Sequence, residues 1–410
     1  MIFKNHAAAT RLDRVARLYL AYKFLSALYF TYPIFYEFST QIVSPLQIGI
    51  FFSVIGACGV LAEVPTGILA DKHGRKSSGL IGVALLAAAP LVILFGHTFT
   101  AYLAAALLYG FGRAFLSGAL ESLVYDHKNV SKEVYRKVNT LEITFGQAGI
   151  LVSAACGGVL FSVHYSLPFI TETIAGAACF VLITLIREQN KAGFKKPTAS
   201  YRRHFNESIK YLFATPYLRV LALSGTLFSV MLGMCIQFVN EAAMIEYGFS
   251  ADMRGFLIAG AGLFTLFILH GVLFNILKSD TTRILYLTAG ASTAYLFMGI
   301  GSVPLFLFGY LLWSCLNATS SFIRVMIHDR IPGSHRSTIM SSFKLLAVLT
   351  GMTASVITGS IVQWAGTPRV AYVIFGCFAC FVLLPCAFLL ITSMKNTTQS
   401  LAPEKMTEND

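Results

Sequence analysis

A short polar stretch, Gly67-Ile68-Leu69-Ala70-Asp71-Lys72-His73-Gly74-Arg75-Lys76, separates two long apolar stretches of this chain. Its spacing is Gly-x-x-x-Asp-Lys-x-Gly-Arg-Lys. We expect Gly67 to let the end of one helix approach a neighbour closely, and Gly74 to permit a tight turn. Asp71 is expected to place its carboxylate against a helix N-terminus. The pattern therefore predicts a tight connection between two helices, with Arg75 and Lys76 just beyond it.

The composition predicts a membrane protein. The chain has 410 residues, of which 56% are hydrophobic and 12% charged, and its mean hydropathy is +0.69. These values exclude an ordinary soluble globule. A bilayer core about 30 Å thick requires roughly 20 apolar residues per helix. Twelve such spans are predicted, at 17–38, 46–69, 77–96, 99–125, 138–161, 166–186, 218–240, 252–276, 283–302, 304–327, 338–362 and 368–392.

The positive charge follows the predicted membrane topology. The formal net charge is +12, which taken alone would also suit a nucleic-acid partner. However, Lys and Arg are concentrated in alternate loops, and the opposite loops contain only Arg254 and Arg369. The positive-inside rule therefore predicts that both termini are cytoplasmic. We expect a multi-pass protein of the cytoplasmic (inner) membrane, with the lipid bilayer and no nucleic acid as partner.

A polar, basic segment at 187–217 divides the predicted spans into two groups of six. We therefore predict an N-terminal six-helix bundle at 1–186, a cytoplasmic linker at 187–217, a C-terminal six-helix bundle at 218–394 and a cytoplasmic tail at 395–410. The fold class expected is an all-α integral membrane protein with twelve transmembrane helices in two bundles.

The Gly67–Lys76 stretch resembles the loop signature of the major facilitator superfamily, which lies between the second and third membrane helices. The resemblance implies two bundles that alternately open to either side of the membrane. It also implies that Asp71 meets the N-terminus of the eleventh helix near 337–341, and that Arg75 pairs with Asp126. The gating residues implied in this way are Gly67, Asp71, Gly74, Arg75, Lys76 and Asp126. A purely topogenic role of the basic residues is the alternative.

Ionisable side chains at bilayer depth are candidates for proton transfer, because an unpaired charge there costs several kcal/mol. Glu63, Arg113 and Glu121 are such residues in the second and fourth predicted spans. Arg113 resembles the arginine that proton-coupled exporters of the superfamily carry in the fourth helix. Each carboxylate either carries protons or forms an ion pair that only holds helices together.

Other charges and glycines are interpreted more simply. Glu241 is expected to be exposed to water near the outer end of the seventh span, and Glu142 to offset Lys137 or Arg136 near the cytoplasmic surface. Lys344 either binds an anionic group in the cavity or pairs with a carboxylate. The glycine-rich fifth span partly resembles a motif of antiporters, and close helix packing explains its glycines equally well. These glycines are Gly146, Gly149, Gly157 and Gly158.

A substrate cavity lined by aromatic, amide and basic side chains is predicted between the bundles. Apolar walls with a few polar groups suit small amphipathic molecules. The candidate lining residues are Tyr29, Tyr32, Tyr36, Gln147, Gln237, Asn240, Trp313, Asn317 and Lys344.

The sequence favours a transporter over an enzyme. It contains no nucleotide-binding loop, metal-ligand cluster or nucleophile elbow, so we expect no cofactor, no metal and a proton gradient as the energy source. The leading hypothesis is a monomeric proton-driven antiporter that exports amphipathic drug-like or toxic compounds, including a peptide antibiotic. The alternatives are a proton-coupled importer of a nutrient or metabolite, and a membrane receptor that does not transport.

Overall fold

A computed structural model describes residues 14–125, 132–188, 216–234, 238–268, 273–319, 322, 325–326 and 336–400. These residues form helices joined by short turns, with no strand among them. Eight helical stretches within this part of the chain are long and apolar enough to cross a membrane by length and composition, and shorter apolar helices include Ala222–Gly233 and Val303–Thr319. The all-α membrane class is confirmed, whereas the count of twelve spans and the side of the termini stay predictions.

Chain contacts divide the molecule into two compact units, which we call unit 1 and unit 2. Unit 1 contains Met1–Pro197, Ile236–Leu263 and Gly351–Pro368, and unit 2 contains Thr198–Cys235, Phe264–Thr350 and Arg369–Asp410. The predicted boundary at 187–217 stays a prediction, because residues 189–215 lie outside the described residues.

Unit 1 is built mainly from the first eight of the described helices. Helix α4 packs against α5 and α8, α3 packs against α5, and α1 packs against α7 and α8. Apolar side chains such as Tyr19, Val83 and Ile183 form a shared core where these helices meet. The bounds are α1 Arg14–Leu25, α2 Phe35–Ser39, α3 Pro45–His73, α4 Arg75–Phe95, α5 Phe99–Leu116, α6 Ala119–Tyr125, α7 Lys132–Val163 and α8 Leu167–Leu185.

The remaining helices follow the predicted linker. Within unit 2, the main contacts join α13 to α14 and α9 to α17. The bounds are α9 Pro216–Met234, α10 Asn240–Glu246, α11 Ala251–Ile268, α12 Phe274–Ile276, α13 Asp280–Gly299, α14 Val303–Thr319, α15 Arg336–Ala365, α16 Pro368–Phe378 and α17 Leu384–Ser400. A π-helical turn, Ala379–Leu383, connects the last two.

The first predicted span, 17–38, is not one continuous helix. Helix α1 ends at Leu25, α2 begins at Phe35, and residues 26–34 form a series of turns. Pro33 has no N–H to donate, and its ring disfavours helical geometry at Tyr32. The local sequence therefore weakens the helix here, and contacts from other helices complete the break.

Two further predicted boundaries differ from the structure. The span predicted at 99–125 is divided between α5 and α6 at Gly118, whose φ is +71°. The signature stretch is not a loop along its whole length, because α3 continues through Gly67 and Asp71 to His73. The turn is confined to Gly74, which has a φ of +102° that favours glycine.

Candidate functional site

The break in the first span is held by a buried carboxylate from a distant helix. Glu172 of α8 is only 8% exposed. Its Oε2 accepts hydrogen bonds from the Thr31 N–H at 3.0 Å and the Thr31 hydroxyl at 2.7 Å. Its Oε1 accepts a longer bond, 3.3 Å, from the hydroxyl of Tyr109 on α5. Glu172 therefore takes the place of a main-chain carbonyl as acceptor for the non-helical segment.

A second buried carboxylate binds the start of α2. Glu241, which is 6% exposed, accepts hydrogen bonds from the N–H groups of Tyr36 at 2.7 Å and Glu37 at 3.0 Å. These N–H groups have no intrahelical partner at a helix start, and Ile34 at the N-cap position makes no side-chain bond to them. The expected exposure of Glu241 to water is therefore wrong, because its carboxylate caps this helix.

Arg254 completes this group of charges. Its side chain is 2% exposed, and its Nε donates to the Pro33 carbonyl at 3.0 Å. One terminal nitrogen donates to the Phe249 carbonyl at 2.9 Å, and the other forms an ion pair with Glu37. Arg254 was expected in a loop on the side opposite the basic loops, but it lies in the first turn of α11. We call Glu37, Glu241 and Arg254 the charged clasp.

Aromatic rings surround the charged clasp. The ring of Tyr36 stacks on Phe238 with centroids 5.9 Å apart, and Phe238 stacks on Phe52 at 6.3 Å. Phe35 contacts Phe51 near the start of α3 at 5.4 Å. Helix α3 has 29 residues and is therefore about 43 Å long. The charged clasp lies near its first residues, whereas the signature stretch lies at its last residues.

The glycines of α7 permit close approach of the main chain. A Cβ atom added at Gly157 would collide with the carbonyl of Phe30 in the broken segment, and one added at Gly158 would collide with the carbonyl of Ala251. A Cβ atom at Gly146 would meet nothing within 4 Å. A Cβ atom at Gly149 would likewise collide with the carbonyl of Phe24, so close packing explains three of the four glycines but not Gly146.

At the signature end of α3, the described contacts involve residues near the end of α8. The N–H of Arg75 donates to Glu188 Oε1 at 2.8 Å, and the Lys76 ammonium donates to the Thr184 carbonyl at 2.7 Å. Glu188 was not among the predicted site residues. Asp126, the predicted partner of Arg75, lies outside the described residues, so that pairing stays a prediction.

Glu142 bridges two helices of unit 1. Its carboxylate lies 3.2 Å from the ammonium of Lys23 and accepts a 2.7 Å bond from the hydroxyl of Tyr19. Lys23 and Tyr19 both belong to α1, whereas Glu142 belongs to α7. The side chain of Arg136 lies outside the described residues, so the expected offset of Lys137 or Arg136 by Glu142 stays a prediction.

The predicted proton-relay residues occupy exposed positions. Glu63, Arg113 and Glu121 are all exposed, in α3, α5 and α6 respectively. Arg113 lies four residues after Tyr109 on α5, so the two side chains share a helix face. Arg113 is therefore one turn of α5 away from a partner of Glu172, and the relay itself stays a prediction.

The remaining gating residues are less closely packed than expected. A Cβ atom at Gly67 would meet nothing within 4 Å, so the expected close approach of a neighbouring helix is not observed. Asp71 is exposed in the last turn of α3. The side chains of 336–341, the expected partner region, lie outside the described residues.

The predicted cavity residues belong to both units. Tyr29 is 39% exposed in the broken segment, near Tyr32 and Tyr36. Gln147 is exposed on α7, and Asn240 is buried beside Glu241. Unit 2 contains buried Trp313, half-buried Asn317 and exposed Lys344, while Gln237 lies outside the described residues.

The sequence contained a signal for the residue that was missed. Glu172 lies in the apolar span predicted at 166–186, so it meets the same depth criterion as Glu63. The pattern of α8 alone does not reveal its partners, because Thr31 is 141 residues away. Among the described residues, no group of three His, Cys, Asp or Glu side chains is arranged to bind a metal ion.

Comparison with known proteins places the chain among membrane transporters. The sequence profile of the Major Facilitator Superfamily matches residues 18–323. The uncharacterized MFS-type transporter YxaM of Bacillus subtilis (strain 168) is 22% identical over 242 residues, 55% of this chain and 56% of YxaM. The quinolone resistance protein NorA of Staphylococcus aureus is 24% identical over 166 residues, 38% of this chain and 40% of NorA. The chain thus matches about half or less of the length of these curated relatives.

Solved structures share the fold over nearly the whole chain. The nucleoside transporter NupG superimposes with a TM-score of 0.77 at 13% identity, covering 93% of this chain and 100% of NupG. A bacterial homolog of the human lysosomal transporter Spinster gives a TM-score of 0.65 at 15% identity, covering 95% of this chain and 98% of that protein.

Proposed function

Because the chain belongs to the Major Facilitator Superfamily, we propose that it is a secondary active transporter that exports amphipathic compounds in exchange for protons. The single observation that carries this proposal is the charged clasp. A transporter that opens alternately to two sides requires a closable contact at each end of its path. Phe52, two turns into α3, stacks on Phe238, which stacks on Tyr36 at the clasp, and the signature stretch lies at the end of the same helix.

The clasp is suited to opening and closing because it depends on a few directed contacts. Arg254 holds two main-chain carbonyls and Glu37, and Glu241 holds two N–H groups. Opening requires all of these groups to be rehydrated together, so intermediate states are disfavoured. We propose that Asp71, Arg75 and Asp126 form the corresponding gate at the signature end.

The proposed coupling ion is the proton. The relay candidates from the sequence are Glu63, Glu121 and Arg113, chosen because ionisable side chains in predicted spans are costly there; all three are exposed among the described residues. The arrangement requires no cofactor, and we propose a monomer in the cytoplasmic membrane.

The proposed substrate class is small and amphipathic. The partly exposed rings of Tyr36 and Phe52 stack on buried Phe238, and exposed Tyr29 in the broken segment presents a hydroxyl. The partial similarity to NorA, a quinolone resistance protein, supports a drug-like substrate. Import of a nutrient by the same fold is the alternative direction.

The test is transport in proteoliposomes with an imposed pH gradient. Purified protein is assayed with ethidium and a quinolone, alongside protein-free liposomes and an ionophore that collapses the gradient. We expect compounds to move against the proton flow, and we expect Glu121→Gln to reduce this flux. Movement of the compounds with the protons would make the protein an importer. Binding without gradient-dependent flux would favour a receptor.

A further inference from the structure

We propose that Glu172 is the residue that binds and releases the coupling proton, an inference that rests on the proton-coupled transport proposed above. Glu63 and Glu121 are exposed, whereas Glu172 is enclosed by protein. An enclosed carboxylate changes its partners when it gains a proton, and this change can be transmitted to the helices that hold it. The geometry of Glu172 shows how.

The two oxygens of Glu172 have different partners. Oε2 accepts two bonds from Thr31, at 3.0 and 2.7 Å. Oε1 accepts one bond, at 3.3 Å, from the Tyr109 hydroxyl. A main-chain N–H only donates, but a phenolic hydroxyl both donates and accepts. A proton added to Oε2 would face the Thr31 N–H, which is also a donor. A proton added to Oε1 faces the Tyr109 hydroxyl, which can rotate and accept it.

Protonation reverses one hydrogen bond. A proton from water in the transport path binds to Oε1, and the Tyr109 hydroxyl rotates so that the Glu172 O–H donates to Tyr109 Oη. Both Thr31 bonds remain on Oε2, and the side chain becomes neutral. Release returns the proton to water and restores the original bond. No group other than water and the carboxyl gains or loses a proton.

Glu172 is the carboxylic acid of this cluster, and the ionisable side chains on α5 and the broken segment are of other types. Tyr109 and Arg113 lie on α5, and Tyr29 lies on the broken segment. The apolar stretch 77–95 of α4, which packs on α8, contains no ionisable side chain. The stretch 143–163 of α7 contains only Cys156. Helix α1, which also packs on α8, carries Tyr19, Tyr22 and Lys23 on its last two turns, and Lys23 is paired with Glu142. Exposed Arg113 lies one turn from Tyr109 on the same helix.

The broken segment links the proton to helix movement. Hydrogen bonds to an ionised acceptor are roughly twice as strong as bonds to a neutral one. Ionised Glu172 therefore holds Thr31 and residues 26–34 tightly, and protonated Glu172 holds them weakly. Because Pro33 in the same segment accepts a bond from Arg254, loosening at Thr31 also loosens the charged clasp. Proton binding thereby favours opening of the clasp.

The first test observes the proton directly. Infrared spectra of the purified full chain in detergent are recorded across a pH titration, and the C=O stretch of a protonated carboxyl group is followed. We expect a titrating band in the wild type and in Glu246→Gln, which alters an exposed carboxylate. The band should be missing in Glu172→Gln. An unchanged band in Glu172→Gln would overturn the proposal.

A second variant covers the case in which Glu172→Gln does not fold. Tyr109→Phe keeps the carboxylate but removes the hydroxyl that stabilises its ionised form. We expect the band to persist with its midpoint moved to higher pH. If Glu172 had only a structural role, the band would be absent, or its midpoint would be the same in Tyr109→Phe as in the wild type. Either of these two outcomes would contradict the proposal.

Transport then separates this inference from the proposed function. For exchange of one proton, each unit of imposed pH difference supports about tenfold accumulation of substrate. Glu172→Gln should lose this accumulation but keep exchange of labelled for unlabelled ethidium. Accumulation that survives in Glu172→Gln, or loss of exchange in a folded variant, would refute the assignment. If the wild type does not accumulate ethidium or the quinolone, the proposed function fails, and the infrared band still decides whether Glu172 binds a proton.

Discussion

At the scale of single residues, the buried charges of unit 1 are bonded largely to the main chain. Glu172 and Glu241 accept from N–H groups of the first span, and Arg254 donates to two carbonyls. Charge-assisted bonds to the backbone are strong, and they compensate for the loss of water around these side chains. The first span therefore depends on distant side chains for its conformation.

Glu241→Gln is expected to destabilise the protein. Both carboxylate oxygens accept N–H groups, so the amide nitrogen of glutamine must face one of these donors. Loss of one capping bond costs about 1–2 kcal/mol, which corresponds to a fall of about 1–2 °C in melting temperature for a chain of this length. Thermal unfolding in detergent measures this change. Glu246→Gln on the same helix is the matched control, and an equal effect of both variants would contradict the capping assignment.

Arg254→Lys is expected to cost more than a conservative change usually does. Lysine carries a single nitrogen, which cannot occupy the three positions from which arginine reaches Pro33, Phe249 and Glu37. Leaving buried carbonyls without donors costs about 2–3 kcal/mol of the free energy of unfolding. The melting temperature should fall, whereas Arg17→Lys at an exposed position of α1 should leave it unchanged. A melting temperature equal to that of the wild type would show that the guanidinium geometry does not matter.

At the scale of helices, hydropathy predicted the long spans but not their interruptions. The stretch 17–38 is apolar throughout most of its length, so its sequence favours a single helix. Pro33 gives a local reason for a break, yet the position of the break is set by Glu172, Arg254 and Gly157 from other helices. Apolar character determines where a span lies, and tertiary contacts determine whether it stays helical.

Gly157→Ala is expected to destabilise this arrangement. The added methyl group would collide with the Phe30 carbonyl, and main-chain atoms cannot move aside as a flexible side chain does. Overpacking of this kind costs about 1–3 kcal/mol. Gly146→Ala on the same helix should raise the free energy of unfolding by about 0.5–1 kcal/mol, since alanine favours helix and meets open space. Thermal unfolding of both variants checks the difference in sign, and a shared sign would contradict it.

At the scale of the whole molecule, the two features that the proposed mechanism needs lie at opposite ends of α3. The signature stretch was identified from its spacing, and its helical course with one turn at Gly74 came from the structure. Because Gly67 makes no close contact through its missing Cβ, any gating function of this glycine has to act in another conformational state.

Gly67→Ala is therefore expected to reduce transport without reducing stability. A methyl group there meets nothing within 4 Å, so the melting temperature should stay equal or rise slightly. During the transport cycle a neighbouring helix is expected to pack closely against this position. If the methyl group makes that packed state about 1.4 kcal/mol less favourable, proteoliposome flux should fall about tenfold. Gly59→Ala on the same helix also meets open space and should keep normal flux. Unchanged flux in Gly67→Ala would remove Gly67 from the gate.

The sequence by itself determined the membrane class, most of the long helices and the signature at Gly67–Lys76. These are local properties, because hydropathy and turn residues act over about 20 neighbouring positions. Only the tertiary structure decided that the first span is broken and that Glu172 and Glu241 hold it. Their partners Thr31 and Tyr36 lie 141 and 205 residues away in the sequence. The local sequence around any one of these residues therefore does not reveal its partner. Hydrogen-bond partners are selected by helix packing in three dimensions, and local sequence patterns do not specify them.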